Sequence, residues 1–352
     1  MTTRLALFEN YPLLQEKLSN ISLGEFPTPV EKLERLGQAI NAPHLYAKRE
    51  DVSGKLYGGN KVRALEFLLG DALRADRKEV MALGFPASCQ ALAQAIYAQQ
   101  FGMKSLAILF PQVSSEQGRR HLLVYQSIGA EVHRLGLPAV LRLIKYRLQH
   151  SRFPKLLEAS SPLGMAGYVN AAFELKEQIE RGLLPEPDLV YVALATMGTA
   201  VGLTLGSKAA GLKSRVVSVN LGNPRATPRN MAKLFRETNE FLHSHDPSFP
   251  KFEASENDFD VRHGFERPKG RLMSETGAQA IKQAKEWANL ELDEMFTANA
   301  FAAVLADAGK GWLRDKTSLW WNSYNSRDFS PQIAKADYRQ LPKAFHHYFE
   351  QA

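Results

Sequence analysis

One stretch decides the fold, Gly58-Gly59-Asn60-Lys61-Val62-Arg63, because it opens an amphipathic helix directly after two glycines. The apolar residues that follow keep the i, i+3, i+4, i+7 spacing of one helical face, and they are Val62, Leu65, Leu68, Leu69, Ala72 and Leu73. Asn60 is a favourable N-cap immediately before them. The pattern therefore predicts a helix whose first turn contains Lys61.

Lys61 is an unusual residue for the start of a helix. A cation in the first turn opposes the positive end of the helix dipole, which costs about 0.3 to 1 kcal/mol. The same positive potential suits a lysine that has to lose its proton, as a lysine must before its amine attacks a carbonyl group. From this stretch alone two interpretations stay open, an imine-forming lysine and an ordinary solvated one.

The composition is that of a globular chain in a reducing compartment. Of the 352 residues, 45% are hydrophobic and 23% are charged, and this length predicts two domains. No window approaches about 18 uninterrupted apolar residues, and the N-terminus lacks the pattern of a signal peptide. The single cysteine, Cys89, excludes an internal disulfide. We therefore predict a cytoplasmic protein with no membrane association and no metal site.

The net charge of +7 raises the question of a nucleic-acid partner. The cations are scattered, however, and the densest basic patch has no interleaved aromatic platform; it comprises Lys145, Arg147, His150, Arg152 and Lys155. A solvated face explains this patch better than a nucleic-acid site does. We predict that nucleic acid is not a partner.

Strand-like and helix-like segments alternate along most of the chain. The predicted strands are 45–47, 80–85, 106–110, 131–135, 189–194, 215–221 and 318–321. The predicted helices after the Lys61 helix are 88–101, 116–128, 168–181, 200–210, 230–243, 275–288 and 299–308, with a terminal helix over the last twenty or so residues. This alternation predicts an α/β fold with parallel sheets. We predict a small domain, residues 53–165, and a large one formed by residues 1–52 and 166–352.

Two strand-to-helix turns are candidate binding sites. In Ala195-Thr196-Met197-Gly198-Thr199, backbone N–H groups and two threonine hydroxyls would cradle a phosphate, although a small-residue turn also simply lets a helix pack close to its strand. In the turn at 84–90, Ser88 is an N-cap candidate. Cys89 beside it is either a reactive thiol or a small buried apolar group. The residues alone leave these alternatives open.

Together these stretches resemble the 1-aminocyclopropane-1-carboxylate (ACC) deaminase and D-cysteine desulfhydrase family. The resemblance extends over residues 25–325, and its most specific motif is residues 58–69, GGNKVRALEFLL. The other matching segments follow in the family's order, and they are Lys48–Asp51, Gly129–Val132, Pro162–Gly164, Gly167–Ala172, the turn at 195–199 and Gly202-Leu203. The resemblance implies a pyridoxal-phosphate enzyme of the tryptophan synthase β-like fold (fold type II), in which open, twisted parallel sheets carry helices on both faces.

The resemblance also implies roles for residues of this chain. Lys61 would bind pyridoxal 5'-phosphate covalently and move the substrate proton, with Asn60 as its neighbour in the motif. The loop Thr196-Met197-Gly198-Thr199 would bind the cofactor phosphate. Ser323 would hydrogen-bond the pyridine nitrogen, and a hydroxyl there, unlike a carboxylate, leaves the ring a weaker electron sink.

The family's substrate-binding residues are only partly retained. Its Gln-Ser-Asn-His segment reads Ala87-Ser88-Cys89-Gln90 here, so Cys89, a poorer donor, replaces the cofactor-binding asparagine that faces the phenolic oxygen. Phe265 and Phe296 stand where the family has tyrosines, so two phenol groups for acid-base work are missing. The resemblance implies that Ser88 is catalytic together with Lys61. It also implies a substrate pocket that contains Ser88, Gln90, Phe265, Phe296 and Thr297.

The sequence thus predicts a pyridoxal-phosphate-dependent deaminase or lyase that acts on a small amino acid by deamination or β-elimination. Because both tyrosines are replaced, we do not expect ring opening of ACC. The alternative is a cofactor-binding protein without turnover that serves in sensing or interaction. The family resemblance also implies a homodimer.

Overall fold

The computed structural model describes residues 5–150, 153–266, 268 and 273–350; Arg152 of the basic patch lies outside these ranges. The strands are β1 (Val30–Lys32), β2 (Leu45–Arg49), β3 (Glu79–Gly84), β4 (Lys104–Leu109), β5 (Glu131–Arg134), β6 (Lys155–Leu156), β7 (Leu189–Leu194), β8 (Arg215–Asn220), β9 (Asp260–Arg262) and β10 (Ser318–Asn322).

The helices cover more of the described chain than the strands do. They are α1 (Ala6–Asn10), α2 (Pro12–Lys17), α3 (Glu34–Ala39), α4 (Lys61–Arg74), α5 (Cys89–Gln100), α6 (Glu116–Ser127), α7 (Leu137–His150), α8 (Pro162–Glu180), α9 (Gly198–Ala210), α10 (Pro228–His245), α11 (Glu275–Ala288), α12 (Thr297–Gly309), α13 (Ser330–Ile333) and α14 (His347–Glu350). Short 3-10 helices lie at Glu50–Val52, Glu256–Asp258, Tyr338–Gln340 and Lys343–Phe345.

The first compact unit comprises Met1–Phe67 and Ala159–Ser326 and contains a six-stranded sheet. Its strand order is β1-β2-β10-β7-β8-β9, and neighbouring strands are parallel except for β1, which is antiparallel to β2. The central strand β7 is a continuous apolar run, as expected for a parallel strand that helices cover on both faces. The apolar core of the first unit includes Leu45, Tyr191, Val217, Phe301 and Trp320.

The second compact unit comprises Leu68–Glu158 and Arg327–Ala352 and contains a four-stranded, fully parallel sheet. Its strand order is β5-β4-β3-β6. The turn before α5 follows β3, and the loop at 110–115 follows the neighbouring strand β4. Because both strands are parallel, these two connections leave the sheet at the same edge.

The predicted fold class, an α/β protein with parallel sheets and helices on both sides, is confirmed. The predicted domain boundaries at residues 53 and 166 remain a prediction. No helix in the described ranges is long and apolar enough to cross a membrane. Within those ranges, no group of three His, Cys, Asp or Glu side chains could hold a metal ion.

Two predicted elements are wrong in their extent. Helix α8 begins at Pro162 instead of Tyr168, because Ser161 caps it by accepting the Gly164 N–H at 3.3 Å and proline is favourable in a first turn. The C-terminal residues do not form one terminal helix but two four-residue helices separated by two 3-10 turns. Pro342 contributes to this break, since it has no N–H to continue a helix.

Candidate active site

Three neighbouring parallel strands of the first unit, β2, β10 and β7, each lead into a predicted site segment. Strand β2 leads through residues 50–60 to Lys61, β10 is followed by Ser323, and β7 is followed by the turn at 195–199. The carboxyl ends of parallel strands lie at one edge of a sheet, which is where open α/β sheets bind ligands. The topology therefore brings the three segments to the same edge.

The glycines before Lys61 allow close contact between backbone segments. A Cβ atom at Gly58 would lie 2.0 Å from the carbonyl oxygen of Asp51. A Cβ atom at Gly59, where φ is +91°, would lie 2.9 and 3.0 Å from the carbonyl oxygens of Tyr324 and Ser323. The Gly58 N–H also donates to the Asn325 side chain at 2.7 Å. The start of α4 is thus fixed against the segment that contains Ser323.

Asn60 connects the start of α4 to the start of α9. Its Nδ2 donates to Thr199 Oγ1 at 2.7 Å, and both residues are buried. Thr199 lies in the first turn of α9, and the half-buried Lys61 is the first residue of α4. One hydrogen bond therefore joins the N-terminal ends of the lysine helix and of the helix after the predicted phosphate loop.

The turn before α9 presents backbone N–H groups. Met197, the N-cap residue, has a left-handed conformation (φ 67°) and makes no side-chain cap. The first turn of α9 holds no acidic residue. Among the described residues, the N–H groups of Thr199 and Ala200 have no acceptor in the protein. An uncapped helix N-terminus with free N–H groups fits a phosphate, so these residues suit the cofactor that the sequence resemblance implies.

Two residues that sequence reasoning missed hold this turn in place. Ser160 Oγ donates to the Thr196 carbonyl oxygen, and Asn223 Nδ2 donates to the Ala195 carbonyl oxygen, both at 2.5 Å. A Cβ atom at Gly198 would lie 2.8 Å from Ser160 Oγ, so glycine is needed where the turn meets Ser160. Ser160 lies in a stretch rich in serine, proline and glycine, residues 159–167, and the sequence of this stretch does not indicate the contact.

The predicted segment Ala87–Gln90 lies after β3 in the second unit. Ser88 caps α5 by accepting the backbone N–H three residues further on at 3.3 Å. The half-buried Cys89 accepts a hydrogen bond from Gln117 at an Nε2–Sγ distance of 3.6 Å. Within the described chain, both amide atoms of Gln90 are buried without a hydrogen-bond partner. Ser88 is thus an N-cap, and the substrate and catalytic roles of this segment stay predictions.

The other predicted pocket residues belong to the core of the first unit. Phe265 and Phe296 pack against its main apolar cluster. The Thr297 hydroxyl donates to Asp293 Oδ2 at 2.7 Å and accepts the Asp293 N–H at 2.8 Å. These contacts give all three residues a structural role, and their place in the substrate pocket stays a prediction.

Arg63, two residues after Lys61, is buried in an ion network that sequence reasoning also missed. Its guanidinium contacts Glu50 at 2.6 and 2.7 Å and Glu174 at 2.9 Å through two nitrogens. Lys48 Nζ lies 2.5 Å from the Glu174 carboxylate. Burial alone would raise the pKa of Glu174, but Arg63 and Lys48 outweigh it and lower that pKa to about 2. The signals in the sequence were the two family motifs that contain members of this network, Lys48–Asp51 and residues 58–69, and neither indicates that the charges are buried.

Two named relatives are similar to this chain in sequence. An ACC deaminase from Mesorhizobium japonicum is 27% identical over 327 residues, which cover 88% of this chain and 92% of the relative. A bifunctional mitochondrial D-cysteine desulfhydrase/ACC deaminase from Arabidopsis thaliana is 31% identical over 213 residues, which cover 55% of this chain and 52% of the relative.

Structure and family comparisons agree with these relatives. The crystal structure of an ACC deaminase homologue matches with a TM-score of 0.74 at 25% identity and covers 94% of this chain and 99% of that one. A family model described as pyridoxal-phosphate dependent enzyme matches residues 21–319. The matched region contains the Lys61 segment, the turn at 195–199 and the Ser88 turn, and the chain therefore belongs to the family of pyridoxal-phosphate-dependent enzymes.

Proposed function

We propose that this enzyme deaminates a small amino acid or eliminates its β-substituent, and that Lys61 binds the cofactor. The proposal depends most on the 2.7 Å hydrogen bond from Asn60 to Thr199, because it joins the lysine helix to the helix whose uncapped N-terminus suits a phosphate. Family membership supports the cofactor, and the names of the relatives support amino-acid substrates.

Different residues of the chain would bind the cofactor, move the proton and bind the substrate carboxylate. Pyridoxal phosphate, when bound, supplies an aldehyde for the substrate amine and a ring that stabilises negative charge on the adjacent carbon. The amine of Lys61 holds the cofactor and then moves a proton at the substrate carbon. The N–H groups of Thr199 and Ala200 would hold the phosphate, and the Ser323 hydroxyl would hydrogen-bond the ring nitrogen. Ser88 and the N-terminus of α5 bind the substrate carboxylate.

Reductive trapping tests the assignment of Lys61. Borohydride treatment of the cofactor-loaded protein, followed by peptide mass spectrometry, is expected to place the reduced cofactor on the peptide that contains Lys61. Lys61→Ala is expected to show no adduct and to lose turnover by at least about 10²-fold, the lower range for loss of a general base. Lys55→Ala is the matched control, because Lys55 is exposed in the preceding loop and forms a surface pair with Glu25 at 3.2 Å. An adduct that persists in Lys61→Ala would refute the assignment.

A second candidate function is a cofactor-binding protein without turnover. The phenylalanines at 265 and 296 favour it, because each lacks the hydroxyl that acid-base work would use. A panel of D- and L-amino acids separates the two functions. Release of ammonia and an oxo acid supports the enzyme, whereas a spectral change with no product supports the binder.

The same two phenylalanines lead us to propose that ACC is not the substrate. We expect no release of ammonia and 2-oxobutanoate from ACC above the rate of free cofactor. Rapid release from ACC by the purified protein would contradict this.

We also propose that the enzyme is a cytoplasmic homodimer. The family resemblance supports the dimer, and the single cysteine of the sequence agrees with a reducing compartment. Sedimentation at micromolar concentration tests the dimer, which a single monomeric species would contradict. Fractionation of the source cell tests the compartment.

A further inference from the structure

The C-terminal segment, residues 327–350, lies beyond the region that matches the family model, which ends at residue 319. It is nevertheless a packed part of the second unit, since Phe329, Leu341, Phe345 and Tyr348 are 7, 5, 1 and 3% exposed. Burial of four large side chains shows that this segment is integral to that unit.

The segment contacts α6 and the loop before it. Exposed hydrogen bonds join Arg120 to Asp328 at 3.2 Å and Gln126 to Gln340 at 2.8 Å. A more buried contact lies at Tyr348, whose hydroxyl accepts the Gln112 N–H at 3.0 Å. Hydrogen bonds between exposed groups contribute little to stability, so the Tyr348 contact is the one we expect to constrain the loop.

Gln112 continues this contact to the turn before α5. Its Oε1 accepts the Ala87 N–H at 3.2 Å, and Ala87 immediately precedes Ser88, the N-cap of α5. Two hydrogen bonds therefore lead from the Tyr348 phenol to the residue before the cap. The start of α6 also lies close to this turn, because a Cβ atom at Gly118 would be 3.4 Å from Pro86 Cβ.

We propose that Tyr348 is a positioning residue for the carboxylate of the substrate, and that it acts through Gln112 on the backbone at Ala87. This rests on the proposed function, which assigns carboxylate binding to Ser88 and the N-terminus of α5. That N-terminus suits an anion, since α5 is twelve residues long and its first turn has no acidic residue. A shift of this turn would weaken binding of the carboxylate both before and during the reaction, so the position of the turn matters for KM.

Tyr348→Phe tests the proposal, because it keeps the ring and removes the hydroxyl that accepts the Gln112 N–H. The Ala87 amide is expected to exchange its hydrogen with solvent at least about 3-fold faster, in line with the loss of a typical hydrogen bond. KM for the amino acid is expected to rise about 2- to 10-fold with kcat changed less than about 2-fold, since binding of the carboxylate contributes equally before and during reaction.

Tyr338→Phe is the matched control in the same segment. Its ring stacks on Phe349 at 4.8 Å, and its hydroxyl has no hydrogen-bond partner within the described chain. We expect unchanged exchange at Ala87 and unchanged KM in this variant. If Tyr348→Phe behaves like Tyr338→Phe, the proposal is wrong.

Variants at Gln112 test the route. Gln112→Leu removes the acceptor for the Ala87 N–H and is expected to raise KM as Tyr348→Phe does. The double variant Tyr348→Phe/Gln112→Leu is expected to be no worse than Gln112→Leu alone, because both changes break one route. Additive effects would show that Tyr348 acts by another path.

The exchange measurement separates this proposal from the proposed function. Faster exchange at Ala87 with normal borohydride trapping at Lys61 but no change in KM would refute the role of Tyr348 and leave the function intact. Absence of trapping in the unaltered protein would instead refute the function, and with it the substrate role of this turn.

Discussion

Each compact unit contains a set of buried polar side chains, and the two sets differ in whether their hydrogen bonds are satisfied. In the first unit, the ion network comprises Thr28, Lys48, Glu50, Arg63, Glu174 and Gln178, and none of its described N and O atoms is buried without a partner. In the second unit, the unpaired set on α5 and α6 comprises Gln90, Gln94, Gln117, His121, Tyr125 and Gln126. Each of these has at least one buried N or O atom with no partner in the described chain.

The difference follows from the free energy of burying each kind of group. A buried amide or hydroxyl without a partner costs about 1 to 3 kcal/mol, whereas an unpaired charge costs far more, so charges are paired first. Two cations and two carboxylates balance in the ion network, which fixes the first turn of α4 next to Lys61. The neutral unpaired set lies on α5 and α6, and α5 begins at the predicted substrate residues. The predicted cofactor lysine thus lies next to paired buried charges, whereas the predicted substrate segment begins a helix with unpaired buried polar atoms.

The largest effect is expected from Arg63→Met, which removes one cation of the ion network. Glu50 and Glu174 would remain buried with less positive charge, and breaking a buried ion pair costs about 3 to 5 kcal/mol of the free energy of unfolding. Urea unfolding followed by circular dichroism measures this loss.

Arg74→Met is the control for Arg63→Met on the same helix. Arg74 pairs with Asp71 at 3.3 Å, but 59% of its side chain is exposed, so less than about 1 kcal/mol should be lost. Equal losses in the two variants would mean that the network contributes no more than a surface ion pair does.

The sequence could predict the lysine helix and the succession of strands and helices along the chain, but not this network. Local spacing gives the apolar face of α4 and the place of Lys61 in its first turn, and both are local properties. Arg63, by contrast, meets Glu50 and Glu174, which lie 13 and 111 residues away in sequence, so only the folded topology brings them together. Lys48–Asp51 could be recognised as a motif without any indication that Lys48 and Glu50 are buried.

The unpredicted parts of the candidate site have the same cause. Ser160 and Asn223 hold the turn at 195–199 from 36 and 28 residues away, and Tyr348 reaches Gln112 across 236 residues. The start of α8 was also not predicted, because Pro162 indicates a break in the helix unless the cap at Ser161 is known.

The next largest effect is expected at Glu66. This buried carboxyl group has hydrogen-bond partners, as the ion network does, but these partners are neutral. It accepts the N–H groups of Leu23 and Gly24 at 2.9 and 3.0 Å, and no described cation is hydrogen-bonded to it. Burial raises the pKa of Glu66 from 4.5 to about 7, although the two N–H groups and Arg63 act in the opposite direction.

Because the pKa of Glu66 is raised in the folded protein, the free energy of unfolding falls as pH rises. Between the unfolded and folded pKa values, the unfolded chain releases the proton while the folded protein keeps it, so the free energy of unfolding falls by about 3 kcal/mol in total. Glu66→Gln keeps the acceptor and cannot titrate. Relative to this variant, the unaltered protein is expected to lose about 3 kcal/mol between about pH 4 and pH 8 in urea unfolding.

Glu174 should behave in the opposite way, which provides an internal check. Its pKa is lowered to about 2, so its stabilising charge is fully present above the unfolded pKa and is lost as pH falls through about 2. Glu25→Gln, at an exposed side chain that pairs with Lys55 at 3.2 Å, controls for the substitution itself. A parallel profile for Glu66→Gln itself would show that Glu66 is ionised in the folded protein at neutral pH.

The smallest effect is expected from Tyr125→Phe in the unpaired set. The change in the free energy of unfolding should have the opposite sign to the change caused by removing a hydrogen-bonded tyrosine hydroxyl. The Tyr125 hydroxyl is buried without a partner in the described chain, and burial raises the pKa of this phenol. Tyr125→Phe removes an unsatisfied polar group, so the free energy of unfolding should stay constant or rise by up to about 1 kcal/mol. Tyr191→Phe is the matched control, because the buried Tyr191 hydroxyl donates to Asp307 at 2.7 Å and its loss should cost about 1.5 to 3 kcal/mol. Equal losses would show that the Tyr125 hydroxyl is hydrogen-bonded to an ordered water, and the two sets would then differ in the kind of partner, protein groups in the ion network and solvent at Tyr125.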